Sequence, residues 1–284
     1  MLDWFQFQLF CLLAALINLL PFSVAVTLSR WIGRGLFFGI TKRRLITLQS
    51  LRLAYPEKSE EEIRQIGMES FMNMVQFGME FARFPKLLKE NKFDFEGKGI
   101  IHELLKLKKG IIVIVAHITN WEAVAINCGK FFPSAAIGRP LKNRYFYEHV
   151  RYLRGLTGTT SIDKSGAIRE VLKELKKNKL VGFLIDQHER QGAVRVNFFG
   201  KPCMTSSLPA RIASKWNIPV VTCFCYRDSK GNLITKAEGP IPIVSTENEE
   251  EDILTNTQAI VGAIEKEVRK RPGEWLWMHR RWRV

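Results

Sequence analysis

The chain has 284 residues, 46% of them hydrophobic, which suits one large α/β domain with additions or at most two small domains. Its formal net charge of +15 favours an anionic partner, such as a nucleic acid, an acidic protein or a membrane surface. The five cysteines are an odd number without a CxxC pair. A zinc site or a disulfide framework is therefore not expected, and a reducing, cytosolic compartment fits better.

The N-terminal segment is the most apolar part of the chain. No charged residue occurs over residues 4–29, and residues 5–20 are almost wholly apolar before Pro21. At about 1.5 Å per residue, such a helix can cross a hydrocarbon core of roughly 30 Å, with a kink at Pro21. We therefore expect residues 1–40 to anchor the chain in a membrane, and residues 41–284 to form a single α/β domain.

Two other interpretations of this segment stay open. A cleaved signal peptide is disfavoured by Asp3, which stands where a basic region is expected. A helical hairpin lying in one leaflet would use residues 22–38 as its second, amphipathic part. The basic residues that follow place the rest of the chain in the cytoplasm by the positive-inside rule. These residues are Arg30, Arg34, Lys42, Arg43 and Arg44.

Helical and extended patterns alternate along the rest of the chain, which is typical of an α/β sandwich. A helix over residues 60–84 begins after Ser59 with three glutamates, a helix N-terminus signature. The other predicted helices cover residues 101–108, 121–130, 166–178, 208–216 and 253–270, and the predicted strands cover residues 111–115, 180–185 and 219–226. Residues 197–202 are predicted to turn and residues 205–207 to cap the helix at residue 208. Cys223 and Cys225 alternate along a predicted strand and should be buried.

The segment His117-Ile-Thr-Asn-Trp-Glu122 follows an apolar, β-branched run over residues 111–115, which predicts a buried strand. His117 therefore lies at a strand's C-terminal end, the sheet edge where ligands bind in open α/β folds. A histidine can take a proton from an alcohol, and a nearby carboxylate can hold its tautomer and stabilise the imidazolium. The pair can thus act as an acid–base centre, whereas metal binding would need further ligands.

A basic and aromatic cluster runs from Gly138-Arg139-Pro-Leu-Lys-Asn143 through Arg144 and Arg151 to Arg154. The arginine fork suits phosphate, and several arginines together suit an anionic lipid headgroup. An exposed basic helix is the simpler alternative, and stacking on nucleic-acid bases is a third. The apolar N-terminus argues against nucleic acid.

A second apolar run, residues 182–185, delivers Asp186 to the end of a strand. Parallel placement would put Asp186 on the same sheet edge as His117, whereas a surface-loop aspartate is the alternative. The chain has no G-x-S-x-G nucleophile motif. Direct attack by an acceptor hydroxyl, without an acyl-enzyme, is therefore the simpler chemistry.

Taken together, several segments resemble the bacterial lipid A late acyltransferase family, within the wider HX4D/E glycerolipid acyltransferase superfamily. They are HITNWE, GRPLKN, Arg151-Tyr-Leu-Arg154, GFLIDQ, VNFFGKPCMT and residues 274–282, so the likeness covers nearly the whole chain. Many members of that family have glycine where Thr119 stands. The resemblance implies an α/β fold with a mixed central sheet flanked by helices, glycerol-3-phosphate acyltransferase-like, and an N-terminal membrane-anchoring helix.

The resemblance also implies transfer of a fatty acyl chain from acyl carrier protein to a hydroxyl of a lipid A precursor, an acylated and phosphorylated glucosamine disaccharide. By that resemblance His117 is the general base and Glu122 its partner. Arg154 and Asp186 match positions the family needs for activity, and Arg139 matches a segment that binds substrate. The expected partners are acyl carrier protein, an anionic glycolipid and the cytoplasmic face of the inner membrane, with no cofactor, no metal and no nucleic acid. All three partners are acidic, which suits the net charge.

Three alternatives stay open at the level of sequence. The acceptor can be another glycolipid, such as a mannosylated phosphatidylinositol. The same pair can act on water, as in a membrane-bound hydrolase or thioesterase. Finally, residues 139–154 can belong to a non-enzymatic basic module that binds anionic lipid or nucleic acid, although the strand-end placement of His117 and Asp186 disfavours it.

Overall fold

The computed structural model describes residues 1–163 and 167–283. These residues form helices α1 (Leu2–Leu19), α2 (Phe22–Gly39), α3 (Thr41–Ala54), α4 (Glu60–Ala82), α5 (Phe84–Lys89), α6 (Lys98–Leu105), α7 (Trp121–Phe131), α8 (Arg144–Gly155), α9 (Ala167–Lys176), α10 (Leu208–Trp216) and α11 (Glu249–Lys270). The strands are β1 (Phe93–Glu96), β2 (Ile111–Val115), β3 (Ser134–Gly138), β4 (Thr160–Asp163), β5 (Leu180–Leu184), β6 (Ala193–Phe198), β7 (Lys201–Ser206), β8 (Val220–Arg227) and β9 (Leu233–Ile241). A short 3-10 turn, Pro272–Glu274, follows α11.

One mixed sheet of seven strands has the order β1-β9-β8-β2-β5-β3-β4. Neighbouring strands in this sheet are parallel, except that β8 and β9 are antiparallel to each other. β6 and β7 form a separate antiparallel hairpin. The expected α/β class with a mixed central sheet flanked by helices is confirmed.

β2 lies at the centre of this sheet and is buried along its whole length. Its alternate side chains enter two hydrophobic cores, with Ile112 and Ile114 on one face and Val113 and Val115 on the other. Residues of α10 and α11 pack into the first core and residues of α7 into the second. A strand covered on both faces has no polar position, which explains the unbroken β-branched run.

The strongest sequence signals match the observed elements. β2 and α10 have their predicted bounds, and Ser59 caps α4 in a capping box with Glu62. α11 begins earlier than predicted because Asn248 caps it and four acidic residues occupy its first turn, where they complement the helix dipole. Cys223 and Cys225 are buried on β8, as predicted, and both are free thiols.

Several elements depart from the sequence-based prediction. The sequence does not predict β1, β3 and β4, which have only four or five residues each. β1 lies within residues 91–99, a segment that is mostly polar, and it is extended because it pairs with β9. The helix predicted over residues 166–178 is observed as α9, and Gly166 lies outside the described residues.

The helix cap predicted at residues 205–207 is confirmed in position, since Ser207 is the N-cap residue of α10, but its side chain makes no capping hydrogen bond. Thr205 and Ser206 belong to β7, which runs directly into α10. The hydroxyl of Ser207 donates to the carbonyl oxygen of Gly192 at 2.8 Å, because the β6–β7 hairpin brings that backbone close. The turn predicted over residues 197–202 is confirmed, and it is tight at Phe199 and Gly200, both with positive φ.

The N-terminal segment forms two helices, α1 and α2, that part at Pro21. Within the described part of the chain, α1 alone is long and apolar enough to cross a membrane, judged by length and composition. α2 packs against α4, and Gly33 allows the two backbones to touch, because a Cβ there would lie 2.4 Å from the Cα of Met72.

Candidate active site

The loop from Ala116 to Asn120 turns the chain from β2 into α7. The side-chain oxygen of Asn120 accepts a hydrogen bond from the Ala123 amide at 3.1 Å and so caps α7. Thr119 has a φ of 52°, in the left-handed region that favours glycine. This tight turn leaves His117 at the end of β2.

Asp186 lies beside His117 because the strands that deliver them are parallel neighbours. The register places Val115 of β2 beside Leu184 of β5, so each chain reaches the site two residues later. The His117 amide donates to Asp186 Oδ2 at 2.8 Å, and His117 Nδ1 lies 2.8 Å from Asp186 Oδ1. The predicted placement of both residues on one sheet edge is confirmed.

The carboxylate of Asp186 is almost wholly buried and yet ionised. Burial by itself raises a carboxyl pKa, but the charge of His117 and hydrogen bonds from His117 and Trp275 outweigh it and lower the pKa of Asp186 to about 2. A carboxylate at Nδ1 keeps the proton of the neutral imidazole on that nitrogen. Nε2 is thus the acceptor nitrogen, and it lies 3.3 Å from the side-chain amide of Gln187.

A segment late in the chain closes over the loop. Ile118 and Trp275 form an isolated antiparallel bridge. The Thr119 amide donates to the carbonyl oxygen of Glu274 at 3.0 Å, and the Leu276 amide donates to the carbonyl oxygen of His117 at 3.0 Å. Residues 274–276 therefore fix the backbone on either side of Ile118.

The indole of Trp275 binds Asp186 directly. Its Nε1 donates to Asp186 Oδ2 at 2.8 Å, and its ring packs edge-on against Trp277 with centroids 4.6 Å apart. Trp275 lies within residues 274–282, one of the segments that resemble the family, but the sequence alone assigns it no role. No local sequence pattern reveals a contact between residues 89 positions apart. The one local feature of this segment is its three tryptophans within residues 274–282.

Glu122 forms a bidentate ion pair with Arg154 rather than a contact with His117. Arg154 Nε and Nη2 donate to the two carboxylate oxygens, each at 2.8 Å. Burial opposes the charge of Arg154, but the charge and hydrogen bonds of Glu122 outweigh it and raise the pKa of Arg154. The expected pairing of His117 with Glu122 is therefore replaced by two pairs. Asp186 holds His117, and Glu122 holds Arg154 because the first turn of α7 lies against α8.

A cleft of about 590 Å³ lies over His117. The Trp121 ring stands 4.8 Å from the imidazole of His117, measured between centroids, and stacks on Phe77 at 4.0 Å. Most of the wall is apolar, which suits a hydrocarbon chain. Its apolar side chains include Phe81, Ile137, Leu141, Phe146, Val150 and Leu208.

One end of the cleft is polar. Arg139 stands at the rim with its side chain 74% exposed and its Nη2 3.7 Å from Glu189 Oε2. His279 accepts a hydrogen bond at Nε2 from the His188 amide, at 3.2 Å. Burial, opposed by the nearby charge of Asp186, lowers the pKa of His279 to about 4, so its imidazole is neutral at pH 7.

A second, smaller cavity of about 20 Å³ lies deeper, between α7 and the sheet. Trp121, Arg154 and Leu184 line both this cavity and the cleft, so the two spaces adjoin. The deeper walls are small or aliphatic, and they include Val113, Val124, Cys128, Ala135, Ala136 and Gly182. Across residues 1–163 and 167–283, no three His, Cys, Asp or Glu side chains are grouped so that they could hold a metal ion.

The fold and this site define an α/β protein with a His–Asp dyad beside an apolar cleft. A family model for bacterial lipid A biosynthesis acyltransferases matches residues 1–284. The chain therefore belongs to that family and is an acyltransferase.

Curated relatives are consistent with this assignment. The chain is 24% identical over 273 residues to a lipid A biosynthesis palmitoleoyltransferase of Escherichia coli, covering 93% of this chain and 87% of the relative. It is 22% identical over 275 residues, with the same coverage, to a lipid A biosynthesis lauroyltransferase of that organism. It is also 22% identical over 181 residues to a phosphatidylinositol mannoside acyltransferase of Mycobacterium tuberculosis, covering 61% of this chain and 54% of the relative.

Proposed function

We propose that the protein moves a fatty acyl chain from acyl carrier protein to a hydroxyl of a lipid A precursor, at the cytoplasmic face of the inner membrane. The observation that carries the proposal is the His117–Asp186 dyad beside a large apolar cleft. Two of the relatives named above transfer lauroyl and palmitoleoyl groups in lipid A biosynthesis, as their names state.

In the proposed reaction, His117 is the general base. Its Nε2 takes the proton of the acceptor hydroxyl, whose oxygen attacks the carbonyl carbon of the donor thioester. The carbon–sulfur bond then breaks, and the leaving thiolate takes the proton back from the imidazolium. Asp186 stabilises that imidazolium and stays ionised throughout, because the pKa of its carboxyl is about 2. The side-chain amide of Gln187, close to Nε2, is our candidate donor to the oxyanion.

We assign the arginines to different tasks. Arg139 is exposed at the polar end of the cleft and can meet a phosphate of the acceptor. Arg154 uses its Nε and Nη2 to hold Glu122, so we propose that this pair shapes the cleft by holding α8 against α7. The acyl chain would lie along the apolar wall, with its end directed towards the small cavity behind Trp121.

The charge of the molecule supports the proposed partners. Acyl carrier protein, a phosphorylated glycolipid and the inner leaflet are all negative, and a chain of net charge +15 is attracted to each. We propose that residues 1–40 anchor the protein and that the catalytic residues face the cytoplasm.

Replacement of His117 by alanine tests the proposal. Transfer of labelled acyl groups from acyl carrier protein to a lipid A precursor, followed by thin-layer chromatography, should fall by about 10³-fold or more, because the base is lost. His102→Ala is the control, since His102 is exposed on α6 and packs against Phe132. Near-normal product from His117→Ala would contradict its role.

The same assay separates the alternatives. Free fatty acid without acylated lipid would indicate a hydrolase or thioesterase. The mycobacterial relative supports a second candidate acceptor, a mannosylated phosphatidylinositol, so that lipid is offered in competition with the lipid A precursor. Preferential acylation of the mannoside would overturn the proposed acceptor and leave the reaction type intact.

A further inference from the structure

Both ends of α1 are tied to the α/β domain. Near its start, the carbonyl oxygen of Asp3 accepts a hydrogen bond from the Asn143 side chain at 2.9 Å. Near its end, the Asn18 side chain donates to the carbonyl oxygen of Ala82 at 3.1 Å, and Lys86 donates to the carbonyl oxygen of Asn18 at 2.9 Å. The helix has 18 residues and is therefore about 27 Å long. Nearly all of that length lies between the contacts at its two ends.

The middle of α1 is also docked. Phe7 packs edge-on against Phe146 of α8 with ring centroids 5.5 Å apart, and Phe10 lies 6.4 Å from Phe81 of α4. The half-buried side chains recur at helical spacing along one face of α1. They are Phe7, Phe10, Cys11, Ala14, Ile17 and Asn18.

This arrangement conflicts with a helix that spans the membrane. A spanning helix puts its two ends on opposite sides of a hydrocarbon core roughly 30 Å thick. Here one domain binds both ends of α1. If α1 crossed the membrane, either Asn143 or the charged Lys86 would be carried into the hydrocarbon core, where an unpaired charge is costly. The length of α1 therefore lies along the domain surface instead of projecting away from it.

We infer that α1 and α2 lie flat in one leaflet, with α1 parallel to the membrane plane and both of its ends on the cytoplasmic side. The outward face of these helices is apolar and exposed, which suits immersion among acyl chains. Its residues are Leu2, Phe5, Leu9, Leu12, Leu13, Leu16, Val24, Leu28, Trp31 and Ile32. Exposed basic residues, Arg30 and Arg34 within α2 and Lys42 at the start of α3, complement an anionic lipid surface.

The inference rests on the proposed membrane association and adds a route for the acceptor. Phe81 and Phe146 contact α1 and also line the cleft. The mouth of the cleft is thereby held at the level of the leaflet. A lipid can enter it sideways with its acyl chains still among those of the bilayer.

Cysteine labelling in spheroplasts tests the orientation. Asp3→Cys and Lys42→Cys are made in a chain with Cys11→Ser, since both positions are exposed. A membrane-impermeant maleimide should label neither site from outside and both sites after lysis. Labelling of Asp3→Cys from outside, with Lys42→Cys protected, would show a spanning helix and overturn the inference.

Vesicle binding tests the surface itself. The triple variant Leu9→Gln, Leu13→Gln and Leu16→Gln should bind vesicles of phosphatidylethanolamine and phosphatidylglycerol about tenfold or more weakly, because it removes apolar area from the immersed face. The matched control, Leu107→Gln, Val244→Gln and Leu254→Gln, changes exposed apolar residues elsewhere and should bind as the wild type does.

The outcomes distinguish the two proposals. Equal binding by both triple variants would refute the immersed face. A wild-type chain that stays in the soluble fraction would refute membrane association and this inference with it, whereas the His117→Ala assay, run in detergent, would still report on acyl transfer.

Discussion

Asp186 keeps its charge in the interior because of the charge of His117 and because three hydrogen-bond donors converge on its two oxygens. They are the amide of His117, the Nδ1 of the same residue and the indole of Trp275. A buried carboxylate with these partners is fixed in position as well as in charge. The orientation of His117 therefore depends on Trp275, a residue that need not touch substrate.

We expect Trp275→Phe to lower kcat by about tenfold or more with little change in KM, because it removes one donor while keeping an aromatic ring in the core. Steady-state kinetics with both substrates measure the split. Trp277→Phe is the matched control, since the Trp277 indole is equally buried but donates to the carbonyl oxygen of Pro272 at 2.7 Å. Equal losses of kcat in the two variants would mean that Trp275 acts only through packing.

The α7–α8 contact is the element on which the cleft wall depends. Glu122 and Arg154 join these helices with two hydrogen bonds, and their side chains are 12% and 9% exposed. A charge left without its partner at such a site is costly, whereas removing both charges costs much less.

A double-mutant cycle of Glu122→Gln and Arg154→Met should therefore show strong coupling. Each single variant should lose about 3 kcal/mol of unfolding free energy, and the double variant should lose clearly less than the sum. Denaturant unfolding of the detergent-solubilised protein gives the three values. Additive losses would show that the two helices are held together by other contacts.

Elements with strong local patterns were predictable, and those created by pairing were not. The run of residues 111–115 indicates a strand without further information, because five β-branched residues suit a strand buried on both faces. β3, by contrast, has the sequence Ser-Ala-Ala-Ile-Gly and is a strand because β5 and β4 flank it. Its state follows from neighbours far away in the sequence.

The candidate site also has a part that local sequence predicts and a part that depends on strand pairing. His117 and Asp186 could each be placed at a strand end from local sequence, and their common sheet edge followed from parallel placement. Which carboxylate contacts His117 could not be read from spacing, because the register of β2 against β5 brings in Asp186 from 69 residues away. Glu122 lies nearer in sequence but already belongs to α7.

At the scale of the whole molecule, acid should destabilise the protein, and His279 and Asp186 should contribute to this loss over different pH ranges. His279 has a folded pKa of about 4, below the ordinary value of 6.5, so the unfolded chain binds its proton first. Its contribution to stability is complete above about pH 6.5 and is lost as the pH falls to about 4. The pKa of Asp186 is lowered from 3.8 to about 2, so the protein loses further stability as the pH falls from 3.8 to about 2.

Thermal unfolding between pH 7 and pH 4 tests the contribution of His279. His279→Gln retains an acceptor for the His188 amide but does not titrate, so its Tm should fall less than that of the wild type over this range. Repulsion within a chain of net charge +15 lowers both curves alike. His102→Gln, at an exposed histidine, should follow the wild type, and parallel curves for all three proteins would exclude His279 as the cause.

The bridge between Ile118 and Trp275 also sets an order of events during synthesis. Thr119 precedes its partner Glu274 by 155 residues. A ribosome that adds about 5 to 20 residues per second needs about eight to thirty seconds to make that stretch. Throughout that interval the nascent chain carries His117 without the segment that secures Asp186. The apolar N-terminal helices leave the ribosome long before this, so the proposed membrane anchor is complete before the candidate site is.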